Sequence, residues 1–408
     1  MTATTNTLNY KQHNYYLTLI LLCLGYFIDF YDLTIMGVGY NELLKEQFHI
    51  TNQLQLQQTY LLISNCQTLG IFIGAFLFGT LGDKIGRASA IRYSILLYSI
   101  TTILAVYTPW LEVFIFLRVL SYIGLATEFA TSTVLIIELF SHKSARWGTA
   151  ILYCFGVLGG ICATSIGMLS WKIMFLSGGI AGLVLYFARK NITESPALLA
   201  VNKQYKSELG SLILLISNRH YLAILIRYFI LILPYFALIS LMFLFPNYII
   251  KDYSLGQATR ILLLGFFIGN IISSLLSAYY WSKLGNPFGF MLISLIIFIS
   301  LMSNFAHISE TYLWLYSCGL GCIGGGYPIV CTQLLAHEYP VYIRSLASNA
   351  LTALGRLSGI IFNLLITNWL MNKQAFIHQV IYTSIIVFLL ALGSLILSRK
   401  NIQNQVVV

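Results

Sequence analysis

Polar and charged residues along this chain are gathered into short segments between long apolar runs. About 20 apolar residues span a ~30 Å hydrocarbon layer at 1.5 Å rise per residue. Such runs occur at 15–38, 59–81, 89–108, 111–138, 148–169, 171–190, 221–249, 258–281, 288–306, 311–337, 346–370 and 376–397. The pattern predicts an all-α membrane protein of twelve transmembrane helices. A transmembrane barrel is excluded, because the runs are too long and do not alternate. Most connections are very short, and two are longer, at 39–58 and 191–220. The second carries Lys203, Lys206 and Glu208, reads as polar, and divides the chain into six-helix bundles at 1–190 and 221–408.

Composition removes whole classes of function. Of 408 residues 58% are hydrophobic and 9% are charged, where a soluble domain carries about 25% charged residues. So few charges cannot coat a water-soluble enzyme, and disorder would need many charges and few hydrophobes. The net charge of +10 raises the question of nucleic acid, but its distribution answers otherwise. With both termini inside, fifteen Lys and Arg fall in inner segments, Arg189 and Lys190 among them. Five (Lys45, Lys172, Lys251, Arg260 and Lys373) fall in outer segments, and Arg118, Arg227 and Arg356 fall within spans. Basic residues accumulate on the cytoplasmic side, so both termini are expected in the cytoplasm, and no nucleic-acid partner is expected. The first apolar run has no small-residue cleavage site after it and reads as a retained span. The seven cysteines lie in apolar runs without a CxxC pair and read as packing residues. No metal and no cofactor is expected.

Span four ends Glu138-Leu-Phe-Ser-His-Lys-Ser-Ala-Arg146, and span ten ends Glu338-Tyr-Pro-Val-Tyr-Ile-Arg344. Two related halves are the plan of a transporter with a central site. Ionisable groups in mid-span cost about 2.5–3.5 kcal/mol on insertion scales and are functional candidates by default. Here they are Asp29, Asp32, Arg118, Glu128 and Arg356. Arg227 lies near the inner end of span seven, where its stem can snorkel to the surface. Asp29 and Asp32 are i, i+3 and share a helix face. Counting rise from the span ends puts Asp29 about 21 Å above the inner end and Arg118 about 10 Å below the outer end, at nearly one level. An ion pair between Arg118 and one of the two aspartates is expected. A carboxylate then left without a cation holds a proton more readily, so Asp32 or Glu128 is the expected proton carrier. Arg356 has no acidic neighbour in its own half and is expected to meet an anionic substrate. Span ten reads Gly319-Leu-Gly321-Cys-Ile-Gly324-Gly325-Gly326-Tyr327-Pro328. A Gly run before Pro weakens a helix, so a kink is expected there, with Tyr327 beside the pathway.

The connection between spans two and three reads Gly79-Thr-Leu-Gly82-Asp83-Lys84-Ile-Gly86-Arg87. This resembles the G-x-L-x-D-[RK]-x-G-R loop of the major facilitator superfamily at every defined position. Gly82 and Gly86 allow a tight turn, Asp83 suits a helix N-terminus, and Lys84 and Arg87 suit acidic partners. Arg118-Val-Leu-Ser-Tyr-Ile-Gly124-Leu-Ala-Thr-Glu128 is similar to the R-x-x-x-G-x-G-x-G-G-[ED] run of metabolite–proton and phosphate–proton symporters, departing at Ser121, Tyr122, Ala126 and Thr127. Asp29-Phe-Tyr-Asp32-Leu33 resembles the D-x-[FY]-D-L element of aromatic-acid and phosphate symporters. Glu138 with Arg146-Trp-Gly148, Trp171-Lys-Ile-Met-Phe175 and Glu194-Ser195-Pro196 resemble further marks of the same superfamily and its sugar porters. In the second half, Trp281-Ser-Lys-Leu-Gly285 lacks the acidic residue of the loop. Gly156-Val-Leu-Gly159-Gly160 lacks the proline of the exporters' G-x-x-x-G-P run, which tilts the expectation towards uptake.

The resemblance implies a non-enzymatic secondary transporter that takes up a small organic anion with protons, by alternating access, in a bacterial inner membrane. A monomer in contact with substrate, protons and lipid is expected. Asp29, Asp32 and Glu128 are the expected proton-coupling groups, and Arg118, Arg356 and Tyr327 the substrate contacts. Gly82, Asp83, Lys84, Gly86, Arg87, Glu138, Arg146, Glu338 and Arg344 are the expected gate. The alternatives are a proton-antiport exporter and a non-transporting receptor of the same fold.

Overall fold

The structure, a computed structural model, describes residues 2–166, 170–201, 205–244, 255–303, 312–370 and 373–407. Lys203 and Lys251, used for orientation, lie outside the described residues, as do the expected span ends at 167–169, 245–249, 304–306 and 311.

The chain forms α1 (Thr2–Phe48), α2 (Gln53–Lys84), α3 (Arg87–Tyr107), α4 (Leu111–Leu125), α5 (Glu128–Leu139), α6 (His142–Ile166) and α7 (Trp171–Ala188). After a short 3-10 turn at Arg189–Asn191 come α8 (Pro196–Val201), α9 (Leu212–Ser217), α10 (Arg219–Leu244), α11 (Leu255–Leu284) and α12 (Pro287–Ser303). The last four are α13 (Leu313–Gly324), α14 (Gly326–Glu338), α15 (Arg344–Leu370) and α16 (Lys373–Val407). Among the described residues ten stretches are long and apolar enough to cross a membrane, the pairs α4–α5 and α13–α14 each counting once, and α12 and α15 complete twelve spans. The fold is therefore an all-α membrane fold with two six-helix halves. Exposed Leu and Ile side chains stud the helices, among them Ile73, Leu104, Ile180, Leu276 and Leu389, as expected where the solvent is lipid.

Three features depart from the sequence reading. The connection expected at 39–58 is short, because α1 runs on to Phe48 and α2 begins at Gln53. Helix continues past the apolar run because protein replaces lipid as its partner. Leu43 and Leu44 are buried, Trp171 Nε1 donates to Glu46 Oε2 at 2.8 Å, and Gln47 Nε2 donates to the Ala105, Val106 and Thr108 carbonyls at 3.2, 3.4 and 2.6 Å. Those carbonyls end α3 and lack helical partners of their own. Span four is broken at Ala126–Thr127, which the sequence reading treated as continuous. Span ten is broken at Gly325, where the glycine run led us to expect it.

Two compact units are present, one comprising Met1–Leu215 with Tyr339–Ala353, the other Ile216–Glu338 with Leu354–Val408. In the first, α1 lies along α6, and α3 packs on α4 and α7. Its core holds Tyr31, Phe114, Trp171 and Phe175 in one cluster and Tyr98, Tyr122 and Leu125 in another. Helices α2 and α4 touch backbone to backbone, for a Cβ on Gly74 would overlap the Ile123 peptide. In the second unit α11 lies along α13, with Gly269 and Gly321 at the contact. Gly74→Ala is expected to push α2 off α4, at about 1–3 kcal/mol for overpacking. A lowered melting temperature of the purified protein in detergent checks this.

Candidate functional site

The polar centre of the first unit is Asp32. Helical spacing on α1 buries it, with 1% exposure, against α3 and α4. Arg118 Nη1 lies 3.2 Å from Asp32 Oδ1, and Arg118 Nη2 reaches the Asp32 carbonyl at 3.5 Å. The other carboxylate oxygen accepts from Thr102 Oγ1 at 2.7 Å and Ser121 Oγ at 3.2 Å. The guanidinium lies over the rings of Tyr122 and Phe175, 5.1 and 5.0 Å from their centroids. A charge pair away from water survives best when its remaining lone pairs and protons are used; here the Thr102 and Ser121 hydroxyls and the Asp32 carbonyl use most of them, while Arg118 Nε has no hydrogen-bond partner among the described residues. Level-matching from the span ends pointed to Asp29; the partner is Asp32. Asp29, one turn earlier, is equally buried and sits within electrostatic range of Arg189 and Tyr98.

Glu128 requires a correction. It was expected to lack a cation, but Arg189 holds it: Arg189 Nη1 donates to Glu128 Oε2 at 3.0 Å, and Nη2 pairs with Oε1. Arg189 Nε and Nη2 also donate to the Leu21 carbonyl at 3.3 and 3.1 Å. Arg189 is 2% exposed, so it is no loop cation. The absence of a side chain at Gly25 makes its room, since a Cβ there would overlap the guanidinium. Glu128 opens α5 and Arg189 follows α7, so each charge complements the dipole of its helix end.

The Gly79–Arg87 loop closes on the start of α15. Asp83 Oδ1 and Oδ2 accept the Ser345 and Leu346 N–H groups at 3.1 and 2.9 Å, which is the helix N-terminus the sequence asked for. Arg87 pairs with Asp83 at 3.1 Å and Glu138 at 3.2 Å, and its Nη2 donates to the Val341 carbonyl at 2.6 Å. Arg344 Nη1 pairs with Glu138 at 3.0 Å. Gly82 lets this contact form, for its Cβ would meet Ser345 Oγ at 2.7 Å. Gly86 has φ 112 and precedes α3. Asn349 Nδ2 donates to Thr131 Oγ1 at 2.8 Å and adds a polar zip beside it. Lys84 is exposed and takes no part, while Arg146 is half-buried on α6. Glu194 was noted only as part of a motif, yet it accepts the Arg87 N–H at 2.9 Å and the Ala88 N–H at 3.1 Å, capping α3.

In the second unit Glu338 pairs with Arg227 and accepts from Tyr228 Oη at 2.7 Å. Arg227, expected to snorkel, is instead turned to this carboxylate. Tyr327, expected beside the pathway, is fully buried and donates its hydroxyl to the Leu231 carbonyl at 2.7 Å. That carbonyl lies three residues before Pro234, whose missing N–H leaves the neighbouring Ile230 carbonyl without its helical donor. Arg356 on α15 is half-buried, and among the described residues it makes no hydrogen bond or ion pair.

An all-helical fold with helices long enough to cross a membrane, buried charge pairs and a loop bonded to a helix start is that of a polytopic membrane protein. The sequence pattern of the Major Facilitator Superfamily matches residues 22–363, and the chain belongs to that family. It is 27% identical over 353 residues to a putative metabolite transport protein of Haemophilus influenzae, covering 82% of this chain and 84% of that one. It is 24% identical over 398 residues to the benzoate transport protein of Acinetobacter baylyi, covering 87% and 83%. The fold is similar to that of the proton:xylose symporter XylE, with a TM-score of 0.75, 15% identity and 96% coverage of both chains. It is a transporter and not an enzyme.

Proposed function

We propose that the protein takes up a small organic anion together with protons, by alternating access across a bacterial inner membrane, with both termini in the cytoplasm. The observation that carries this reading is the Asp32–Arg118 pair, fully buried at membrane depth and surrounded by the Thr102 and Ser121 hydroxyls. Charges at such depth are expensive and mark ion pathways. A pair that Arg118 can leave for an anionic substrate frees Asp32 to take a proton, and the two events are then linked. The relative that transports benzoate supports a carboxylate as the cargo. Asp29 stands one turn away and joins Asp32 in handling the proton, while the Glu128–Arg189 pair holds the helices. The half-buried guanidinium of Arg356 supplies a second anion contact. Asp83, Arg87, Glu138 and Arg344 form the latch that must open for release, as residues 1–190 and 221–408 rock about the linker 191–220.

The test uses radiolabelled benzoate and proteoliposomes under an imposed pH gradient. Wild-type protein is expected to accumulate label only when the gradient is inward and acid outside. Asp32→Asn is expected to lose accumulation while retaining exchange of internal for external benzoate. Accumulation by Asp32→Asn at the wild-type level overturns the proton assignment, and gradient-independent uptake overturns symport. Arg356→Gln is expected to weaken the apparent affinity for benzoate about tenfold to a hundredfold, as for loss of one charge-assisted hydrogen bond of about 1.5–3 kcal/mol. Unchanged affinity removes Arg356 from the site.

A further inference from the structure

The connection between spans six and seven is polar overall but contains one apolar stretch, Leu212-Ile-Leu-Leu-Ile216. It forms α9, six residues long and so about 9 Å, far too short to cross a bilayer. It is also separate from span seven. Ser211 Oγ accepts the Leu214 N–H at 3.2 Å and starts α9, and Asn218 Oδ1 accepts the His220 N–H at 2.9 Å and starts α10 afresh.

One side of α9 is buried through Leu215, at 1% exposure. The other presents Leu212, Ile213 and Ile216 at 39%, 80% and 55% exposure. These three share a helix face by their spacing. Ile213 is the most exposed large hydrophobic side chain among the described residues. Inside a span such exposure is ordinary contact with lipid; here it stands on a helix outside every span.

The ends of the segment fix its depth. Upstream, the Gly210 N–H donates to the Tyr342 carbonyl at 2.8 Å, and the Tyr205 ring stacks on Tyr342 at 5.1 Å. Gly210 has φ 57, and a Cβ there would press on the Thr80 carbonyl at 2.6 Å. The segment is therefore pinned beside the Gly79–Arg87 loop. Downstream, span seven begins at Arg219, two residues beyond α9. The distribution of Lys and Arg assigns the Gly79–Arg87 loop and the start of span seven to the same, inner side of the membrane, so the apolar face has the bilayer within reach.

We propose that α9 is a membrane-surface helix whose Leu212–Ile213–Ile216 face is seated at the headgroup–acyl boundary of the bilayer. Lipid is the occupant that the flanking charge also fits. Lys206 and Arg219 are exposed on either side, and Glu208 is the single acidic residue between 205 and 220. Apolar residues bordered by cations are what an anionic lipid surface recognises. The six-to-seven connection is then held to the membrane as well as to the protein.

The experiment places the photoreactive residue p-benzoylphenylalanine at position 213 of the full chain and, in a second variant, at position 216. Purified protein in vesicles of phosphatidylcholine and phosphatidylglycerol, and membranes of expressing cells, are irradiated and the adducts identified by mass spectrometry. Phospholipid adducts at 213 and 216, with none for the same probe at the exposed Ser207, are the expected result. Adducts with another protein or a second copy of this chain, or no lipid adduct at either position, overturn the proposal.

Discussion

Arg189→Gln is expected to leave little folded protein. Its loss strands Glu128 at zero exposure, because Arg189 is the guanidinium that holds that carboxylate. Removing one partner of a buried pair costs about 3–5 kcal/mol, because the remaining charge is uncompensated. The Leu21 carbonyl loses its two donors as well. Glu128→Gln is expected to be nearly as damaging, since it strands the guanidinium. Glu128→Gln with Arg189→Gln removes both charges and is expected to recover most of the loss. The measure is monodisperse protein surviving detergent extraction and a heat step. Additive losses in the double variant would show that the two side chains do not act as a pair. A coupling role for Glu128 predicts a different outcome: a well-folded Glu128→Gln that fails only to accumulate substrate.

The Arg118–Asp32 pair gives the second large effect. Arg118→Ala leaves Asp32 buried with only the Thr102 and Ser121 hydroxyls, and it removes the cation from between Tyr122 and Phe175. A loss of about 3–5 kcal/mol is expected on the same grounds. Arg118→Ala combined with Asp32→Asn is expected to be more stable than Arg118→Ala alone. Arg118→Ala combined with Asp29→Asn is expected to gain much less, because the ion pair is made with Asp32. Equal rescue by the two aspartate changes would overturn the assignment of the partner. Arg118→Lys keeps the charge but not the planar fork, and is expected to lie between wild type and Ala.

The spans were legible because lipid imposes a length rule that needs no tertiary information. The loop was legible because a turn, a carboxylate for a helix end and two cations stand within nine residues; the structure puts Asp83 on the α15 N-terminus accordingly. Arg189 was not legible. It stands at the inner end of an apolar run, where a cation reads as a topological marker, and only the packing of α1 and α5 shows it turned inward. The choice between Asp29 and Asp32 was hidden for a related reason. Rise along a helix gives depth, but both residues share a face, and the Thr102 and Ser121 hydroxyls that favour Asp32 come from two other helices. Tyr327 was misplaced because a phenol near a glycine run looks open, and its carbonyl partner on α10 is 96 residues away in sequence.

Gly25 turns the Glu128–Arg189 pair into a constraint on how this chain can drift. A methyl group at that position would occupy the space of the guanidinium, so Ala at 25 is acceptable only after the side chain at 189 has shortened. That shortening is acceptable only together with loss of the carboxylate at 128, since either charge alone is stranded. The acid and the base can therefore be exchanged only as a pair, and the glycine only after them. A library randomised at 25, 128 and 189 together should return combinations that no single-site scan would find, and a chain bearing Ala at 25 should carry neither charge.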